Sequence, residues 1–552
     1  MSKKWLVLCL ALILFINTFS NKDAATIKST GSEALSSRID KSIDINKIEE
    51  KINISRNKRI PEIKNGDYFQ SVYDIKDKVK PFYLKKLIFN KSRFFSEEYL
   101  FTIKERYQGK ITTISDIVLL INQLNRRYLE LGQHFVKAIF PKQDLRDGII
   151  KIYFVEPVIG KVYLKGNNST RKSFILDRLN VSEGEFYNIS EIKDNLIKLN
   201  FTSDIRARMA LKPGKRFAET DLNLYIYEPK KYSTLLMVDD SGSEETGDIR
   251  TTLIQEFKSI SGKRDDLSIN IVNSEGSLDA LLSYDFFVGS RFEKMGLTIR
   301  RTETEIIEGQ LTAFNIESKL DGYTLFYKRP ILTSQNLIKN LIINLENSDS
   351  RTFFSGTKVF DNKTTKISIK QDYIKYDSRG YIYYNHGFIS GVKAAGGENT
   401  FSTYNAFYER SLRQKGHTLK LRASLQIADD TLIPATAQFQ LGGNATVRGY
   451  DDGLIAGDNG YSMTFEYIPN KRLIFKNNKI RETLFLDYGK IFAYKDKGLT
   501  DENYTDIVST GYLFDAMFGK NTIRVQLSYP LKDHEYYSES GVQTTFSLTR
   551  IF

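Results

Sequence analysis

From Pro229 to the C-terminus, more than half of the 552 residues, apolar and polar side chains alternate with a period of two and almost no helical signal interrupts them. Leu419, Leu421, Ala423, Leu425 and Ile427 oppose Lys420, Arg422, Ser424 and Gln426. Ile523, Val525, Leu527 and Tyr529 oppose Arg524, Gln526 and Ser528, and Leu341, Ile343 and Leu345 oppose Asn340, Asn344 and Glu346. A soluble sandwich alternates in the same way. In a transmembrane barrel the meaning inverts: apolar side chains face lipid and polar ones a wet lumen. Such a sheet must close, because an open edge in hydrocarbon leaves backbone groups unpaired. At about 9–11 residues per spanning strand, plus turns and longer loops, residues 230–552 hold about 16 strands.

Ahead of Pro229 the periodicity changes. Phe82 to Phe89 is strand-like, and Ser96-Glu97-Glu98 opens a short helix. Thr113 and Asp116 stand at capping-box spacing before Ile117, Leu120, Ile121, Leu124 and Tyr128, a 3.6-period face that ends at Gly132. Strands are predicted at 135–140 and 149–155. The order then recurs: a strand at 159–164, a helix near 174–179, another carrying Ile192, Leu196 and Leu199, and strands at 205–211 and 222–227. This strand-helix-helix-strand-strand repeat marks an internal duplication, with units at 81–156 and 157–229.

The N-terminus reads as a secretory signal over residues 1–25: Lys3-Lys4, twelve apolar residues from Trp5 to Ile16, then Asn17-Thr18-Phe19-Ser20. The apolar run is too short for a spanning helix, which needs about 20 residues. The single cysteine, Cys9, lies inside it, and Leu8 before it is too large for a lipid-anchor site. The exported chain is therefore expected to hold without disulfides. Within a helix-and-linker segment at 26–80, residues 26–65 are polar and lysine-rich; Ile39, Ile43, Ile45, Ile48 and Ile52 give a marginal amphipathic helix before a linker at Pro61 and Gly66.

Composition narrows the function. The net charge of +13 suits anionic lipid head groups or an acidic passenger, and equally suits solvated loops and a polar lumen. Aromatic and basic residues are not interleaved as a stacking platform requires, so nucleic acid is not an expected partner. There is no Gly-x-x-x-x-Gly-Lys-Ser/Thr loop, His-Glu-x-x-His or Gly-x-Ser-x-Gly, and His134, His386, His417 and His534 are scattered. Neither an enzyme, a cofactor nor a metal is expected. Asp239-Asp240 and Asp265-Asp266 read as strand-end acids.

One segment stands out within the alternating region. Val447-Arg448-Gly449-Tyr450 follows Leu441-Gly442-Gly443 and precedes Gly457-Asp458-Asn459-Gly460, placing one arginine between glycine-rich, acidic flanks. Parity supplies its candidate partners: Leu484, Leu486 and Tyr488 share one face, so Phe485 and Asp487 point to the lumen, as does Glu466. The tetrapeptide resembles the loop-six motif of outer-membrane assembly and secretion barrels. Its flanks resemble the transporter component of two-partner secretion systems, the haemolysin secretion/activation family. Phe485-x-Asp487-x-Gly489 matches the strand motif that anchors the arginine in that family, so the resemblance favours Asp487 over Glu466 as the partner of Arg448. Gly132-Gln133-His134-Phe135, Pro141-Lys142-Gln143-Asp144-Leu145 and Leu211-Lys212-Pro213-Gly214 resemble POTRA domains. Phe546 and Phe552, on one face of the last strand with Leu548, fit the terminal signal by which such barrels are recognised for assembly.

The resemblance covers about residues 80–552 and implies α+β tandem POTRA-like domains followed by a 16-stranded antiparallel transmembrane β-barrel, with the stretch after the signal plugging the pore. It implies a monomer in the bacterial outer membrane, among outer-membrane lipid and lipopolysaccharide, inserted by the barrel assembly machinery. Its partner would be a secreted exoprotein with an N-terminal secretion domain: a large β-helical adhesin, haemolysin or toxin. The rivals are a barrel assembly factor, which usually carries more than two POTRA units, and a passive porin, which needs neither the POTRA pair nor the arginine loop.

Overall fold

The computed structural model describes residues 81–133, 136–141, 143–186, 188–216, 218–309, 311–393, 399–429, 433–470, 473–475, 478–492, 506–532 and 541–552. The signal at 1–25, the plug and linker at 26–80, and His134, Phe135, Lys142 and His534 lie outside them. The chain divides into two compact units that meet at Pro229 and Lys230.

The first holds two copies of one arrangement. In the first copy Lys86–Phe89 runs parallel to Ile149–Val155, which pairs on its other side with antiparallel Lys137–Ile139. Helices α1 (Glu97–Tyr107) and α2 (Ile114–Glu130) intervene. In the second, Val158–Lys165 runs parallel to Glu219–Tyr227, which pairs with antiparallel Arg206–Pro213; α3 (Lys172–Leu179) and α4 (Ile189–Thr202) intervene. The predicted run 82–89 is not one strand. The amides of Lys85 and Lys86 both donate to the carbonyl of Gly148, at 2.8 and 3.2 Å, which turns the chain so that Phe82–Leu84 pairs instead with Lys110–Thr112. Of the predicted strand 135–140, Phe135 lies outside the described residues and the strand spans only Lys137–Ile139.

Both copies fold because the helical face read from the sequence is the buried one. Ile117, Leu120, Leu124 and Tyr128 pack on Leu87, Ile150, Ile152 and Phe154, all in one apolar cluster. A second device recurs. Asn125 on α2 brackets the backbone of Ala138, accepting from its amide at 2.7 Å and donating to its carbonyl at 3.2 Å. Asn200 on α4 does the same to Ala207, at 2.6 and 3.0 Å. Each asparagine thus satisfies backbone groups that the sheet leaves unpaired.

The capping box at α2 is formed: the Asp116 amide donates to Thr113 Oγ1 at 3.2 Å, and the Thr113 amide and hydroxyl donate to Asp116 Oδ2 at 2.9 and 2.7 Å. These Thr113 bonds hold the Asp116 carboxyl below its ordinary range. Because the folded value is the depressed one, the stabilisation is present at neutral pH and lost as pH falls through it. Thr113→Ala is expected to cost about 1 kcal/mol in denaturant unfolding of residues 81–228 at pH 7. The difference from wild type should shrink in acid; one that grows as pH falls would contradict the assignment.

From Tyr232 to Ile551 sixteen long strands form a closed antiparallel barrel, with a three-residue strand, Leu473–Phe475, extending one hairpin. The first strand, Tyr232–Asp239, pairs with the last, Gln543–Ile551. Leu325 and Phe388 are 53% and 66% exposed on the outer wall, whereas Asp279, Thr302, Asn340, Asp372 and Gln526 are buried on the inner one. This is the inversion that a barrel in lipid requires. Strand direction alternates from residue 232, so residues 429–458 are the sixth connection at the end opposite to the one where the chain enters.

Candidate functional site: an arginine loop held inside the barrel

The sixth connection folds on itself. Phe439–Leu441 pairs with Ile455–Gly457 as a small antiparallel hairpin. Beneath it Leu441, Val447, Tyr450 and Leu454 cluster with Ile491 and Ile507 of the barrel wall. This apolar footing, and the hydrogen bonds between Thr446 Oγ1 and the backbone of Gly442, fix the loop before any charge is considered.

The footing delivers Arg448 to a prepared site. Its side chain is 7% exposed and that of Asp487 0%. Arg448 Nε and Nη2 donate to the two Asp487 oxygens at 2.7 and 2.8 Å, and the Arg448 amide adds a third bond at 3.1 Å. Nη1 donates to Glu466 Oε1 at 3.0 Å. The guanidinium carbon lies 3.6 Å from the centre of the Phe485 ring. The structure therefore brings both candidate carboxylates to Arg448, Asp487 as the two-pronged partner and Glu466 on the remaining nitrogen. Such pairing suits arginine's planar fork.

Gly449 adopts φ +87° beside Ser528, and the Tyr450 hydroxyl lies 2.9 and 2.7 Å from the carbonyls of Val508 and Lys532. A side chain at Gly489 would run into Leu441 and Val447, so this glycine lets the loop approach the wall. Phe546 lies within the last strand and Phe552 just past its end, both about half exposed.

Parity had placed Arg422 and Gln526 on the polar face without giving them a role. Arg422 Nε donates to Glu409 Oε2 at 2.8 Å, and Arg422 Nη1 lies 3.6 Å from Glu466. Glu409 also accepts from the Tyr381 hydroxyl. A chain of alternating charges, Glu409, Arg422, Glu466, Arg448, Asp487, thus crosses four neighbouring strands and the loop. Gln526 donates to Asn444 Oδ1 at 2.8 Å, and Asn444 donates to Ser241 Oγ at 2.9 Å, a second tether. Asp452 lies 3.7 Å from Arg250, which pairs with Asp239 at 2.8 Å, so that strand-end acid shares in holding the loop. Gly511 also escaped notice; a side chain there would strike the Phe485 ring. Among the described residues no cluster of histidine, cysteine and carboxylates could hold a metal.

These features define an outer-membrane barrel carrying a loop latched in its lumen. The family model for the haemolysin secretion/activation protein ShlB/FhaC/HecB matches residues 218–511, and the ShlB-type POTRA model matches residues 82–156. The heme/hemopexin transporter protein HuxB of Haemophilus influenzae is 23% identical over 477 residues, covering 78% of this chain and 80% of its own. Two solved structures share the fold: CdiB from Escherichia coli, with TM-score 0.68, 14% identity and coverage of 96% and 100%, and CdiB from Acinetobacter baumannii, with 0.67, 16%, 96% and 100%. The chain belongs to the haemolysin secretion/activation family and is an outer-membrane transporter of two-partner secretion, its POTRA region in the periplasm.

Proposed function

We propose that the periplasmic units capture an unfolded exoprotein by strand addition and that the chain exports it through the barrel when Arg448 leaves its carboxylates. The observation that carries this reading is the Arg448 latch: a desolvated, doubly paired arginine on a loop that occupies the lumen of a closed barrel. A passive pore has no use for such a device. The sequence has no nucleotide-binding motif, so the drive falls to folding of the passenger at the cell surface. The passenger would be a large β-helical adhesin, haemolysin or toxin whose N-terminal secretion domain is read in the periplasm. The transporter itself acts as a monomer inserted by the barrel assembly machinery, its outer wall in contact with phospholipid and lipopolysaccharide.

The capture edge follows from hydrogen-bond parity. Asn200 bonds both backbone groups of Ala207, so in Arg206–Pro213 the groups turned away from the sheet belong to Ala207 and, two and four residues on, Met209 and Leu211. Pro213 completes that series and has no amide to offer, as expected of an edge position. Among the described residues no strand pairs with this edge. An added strand would bond there through its backbone, gaining affinity without requiring one sequence. Purified residues 81–228 are expected to bind the partner's secretion domain in titration, and Leu211→Pro, which removes an outward amide, to weaken binding at unchanged helix content. Absence of binding at high micromolar concentration with both fragments folded would refute capture; normal binding by Leu211→Pro would move it to another edge.

A further inference from the structure

On the outer wall, strands Gly380–Lys393, Asn399–Arg413 and His417–Ala428 enclose a trench of about 330 Å³. Register explains it. Tyr384 stands opposite Tyr408 and Tyr408 opposite Ala423; in the next row His386 stands opposite Ala406 and Ala406 opposite Leu425. Ala406 and Ala423 are small where their neighbours in these rows are large, so the wall is hollowed between the rings of Tyr384, Tyr404 and Tyr408.

The rim is polar, which is unusual on a lipid-facing wall. It is also internally bonded: Gln371 Nε2 donates to the Tyr384 hydroxyl at 3.2 Å, and the Tyr404 hydroxyl lies 3.2 Å from His386 Nδ1. These bonds offset the cost of placing polar groups against hydrocarbon and fix the side chains around the hollow. Toward the end where the chain enters the barrel, two cations follow on the same face. Arg410, two positions beyond Tyr408, is 9% exposed; its Nη2 donates to Asp377 at 2.6 Å, and its Nη1 has no hydrogen-bond partner. Lys375 stands opposite Ile382, and Ile382 opposite Arg410. Toward the other end the outward positions Ser390 and Ser402 carry no charge.

We infer that the trench seats one acyl chain of a phospholipid of the periplasmic leaflet, with its phosphate drawn to Lys375 and Arg410. The volume lies at the low end of the ~300–1,000 Å³ range of small-molecule sites, enough for a chain and too little for a whole lipid. The cations decide the leaflet: basic residues at one membrane face draw the head groups of that face, and lipopolysaccharide carries its phosphates at the other. The inference is independent of how the exoprotein is moved.

The test uses the full-length protein in phosphatidylethanolamine and phosphatidylglycerol vesicles containing a trace of phosphatidylglycerol with a photoreactive group in mid-chain. After irradiation, label on peptides containing Tyr384 to Phe388 and Tyr404 to Tyr408 should exceed that around the exposed Leu297 and Leu325 several-fold. Ala406→Phe with Ala423→Phe should remove the excess, and Lys375→Gln should reduce it. Heat-modifiable mobility on gels reports folding, and Ala406→Met serves if the double variant fails to fold. Even labelling around the barrel, meaning ordinary annular lipid, would overturn the site, as would an excess that survives the filled trench. Displacement of the label by added lipopolysaccharide would overturn the choice of phospholipid, and crosslinks between copies through the trench would make it a self-association surface instead.

Discussion

Arg448→Ala is expected to reduce export of the partner exoprotein strongly, to a level that can still be measured, while the barrel still assembles in the outer membrane. Removing the guanidinium strands Asp487 in a dry site, whereas Glu466 keeps Arg422 at 3.6 Å. Breaking a buried pair by deleting one partner costs about 3–5 kcal/mol, and here that cost falls on seating the loop, not on barrel closure. Asp487→Ala should be milder, since Arg448 retains Glu466 at 3.0 Å and the Phe485 ring. The double variant should be no worse than Arg448→Ala alone, because it leaves no orphaned charge. Arg448→Lys should remain defective: an ammonium cannot bond both Asp487 oxygens and Glu466 in one plane. Export into the medium, with conductance in planar bilayers reporting loop position, checks each variant. Strictly additive defects would show that the two residues act separately.

How much of this was legible in the sequence depends on which property each feature needs. Facing needs only parity, so the inward positions of Phe485, Asp487 and Glu466 could be read from six or seven residues each. Neighbourhood needs register, which parity does not supply. Arg422 was visibly on the polar face, yet its place opposite Glu409 and diagonal to Glu466 follows from turn lengths between strands that no alternation pattern encodes. The same gap hid the trench, because Ala406 and Ala423 are unremarkable until register sets them among tyrosines. Local signals were complete where they act locally: Thr113 and Asp116 form their capping box within four residues. They failed at Lys85, where the break in a strand-like run is imposed by the carbonyl of Gly148, a residue distant in sequence. The family motif carried what neither parity nor register could, namely that the sixth connection turns inward and that its arginine seeks Asp487.

Gly489→Val is expected to unseat the same loop without altering any charge. An added Cβ would stand 2.6 and 2.8 Å from the two Leu441 methyl carbons and 3.0 Å from Val447 Cγ2, all on the loop. The wall cannot yield, since Gly489 sits mid-strand between Ser462 and Ile507 in the closed barrel. Overpacking of this kind costs about 1–3 kcal/mol, and the loop relieves it by lifting away from the wall. Conductance should rise and export fall, although Arg448, Glu466 and Asp487 are all present. Leu441→Ala removes the methyl groups that the new side chain meets; alone it should loosen the loop by leaving a cavity in its apolar footing. Combined with Gly489→Val it should restore part of what either change loses, a coupling that only direct contact produces. If Gly489→Val instead exports normally, or if the two defects simply add, the glycine does not govern the loop's approach, and the charged contacts of Arg448 alone hold it in the lumen.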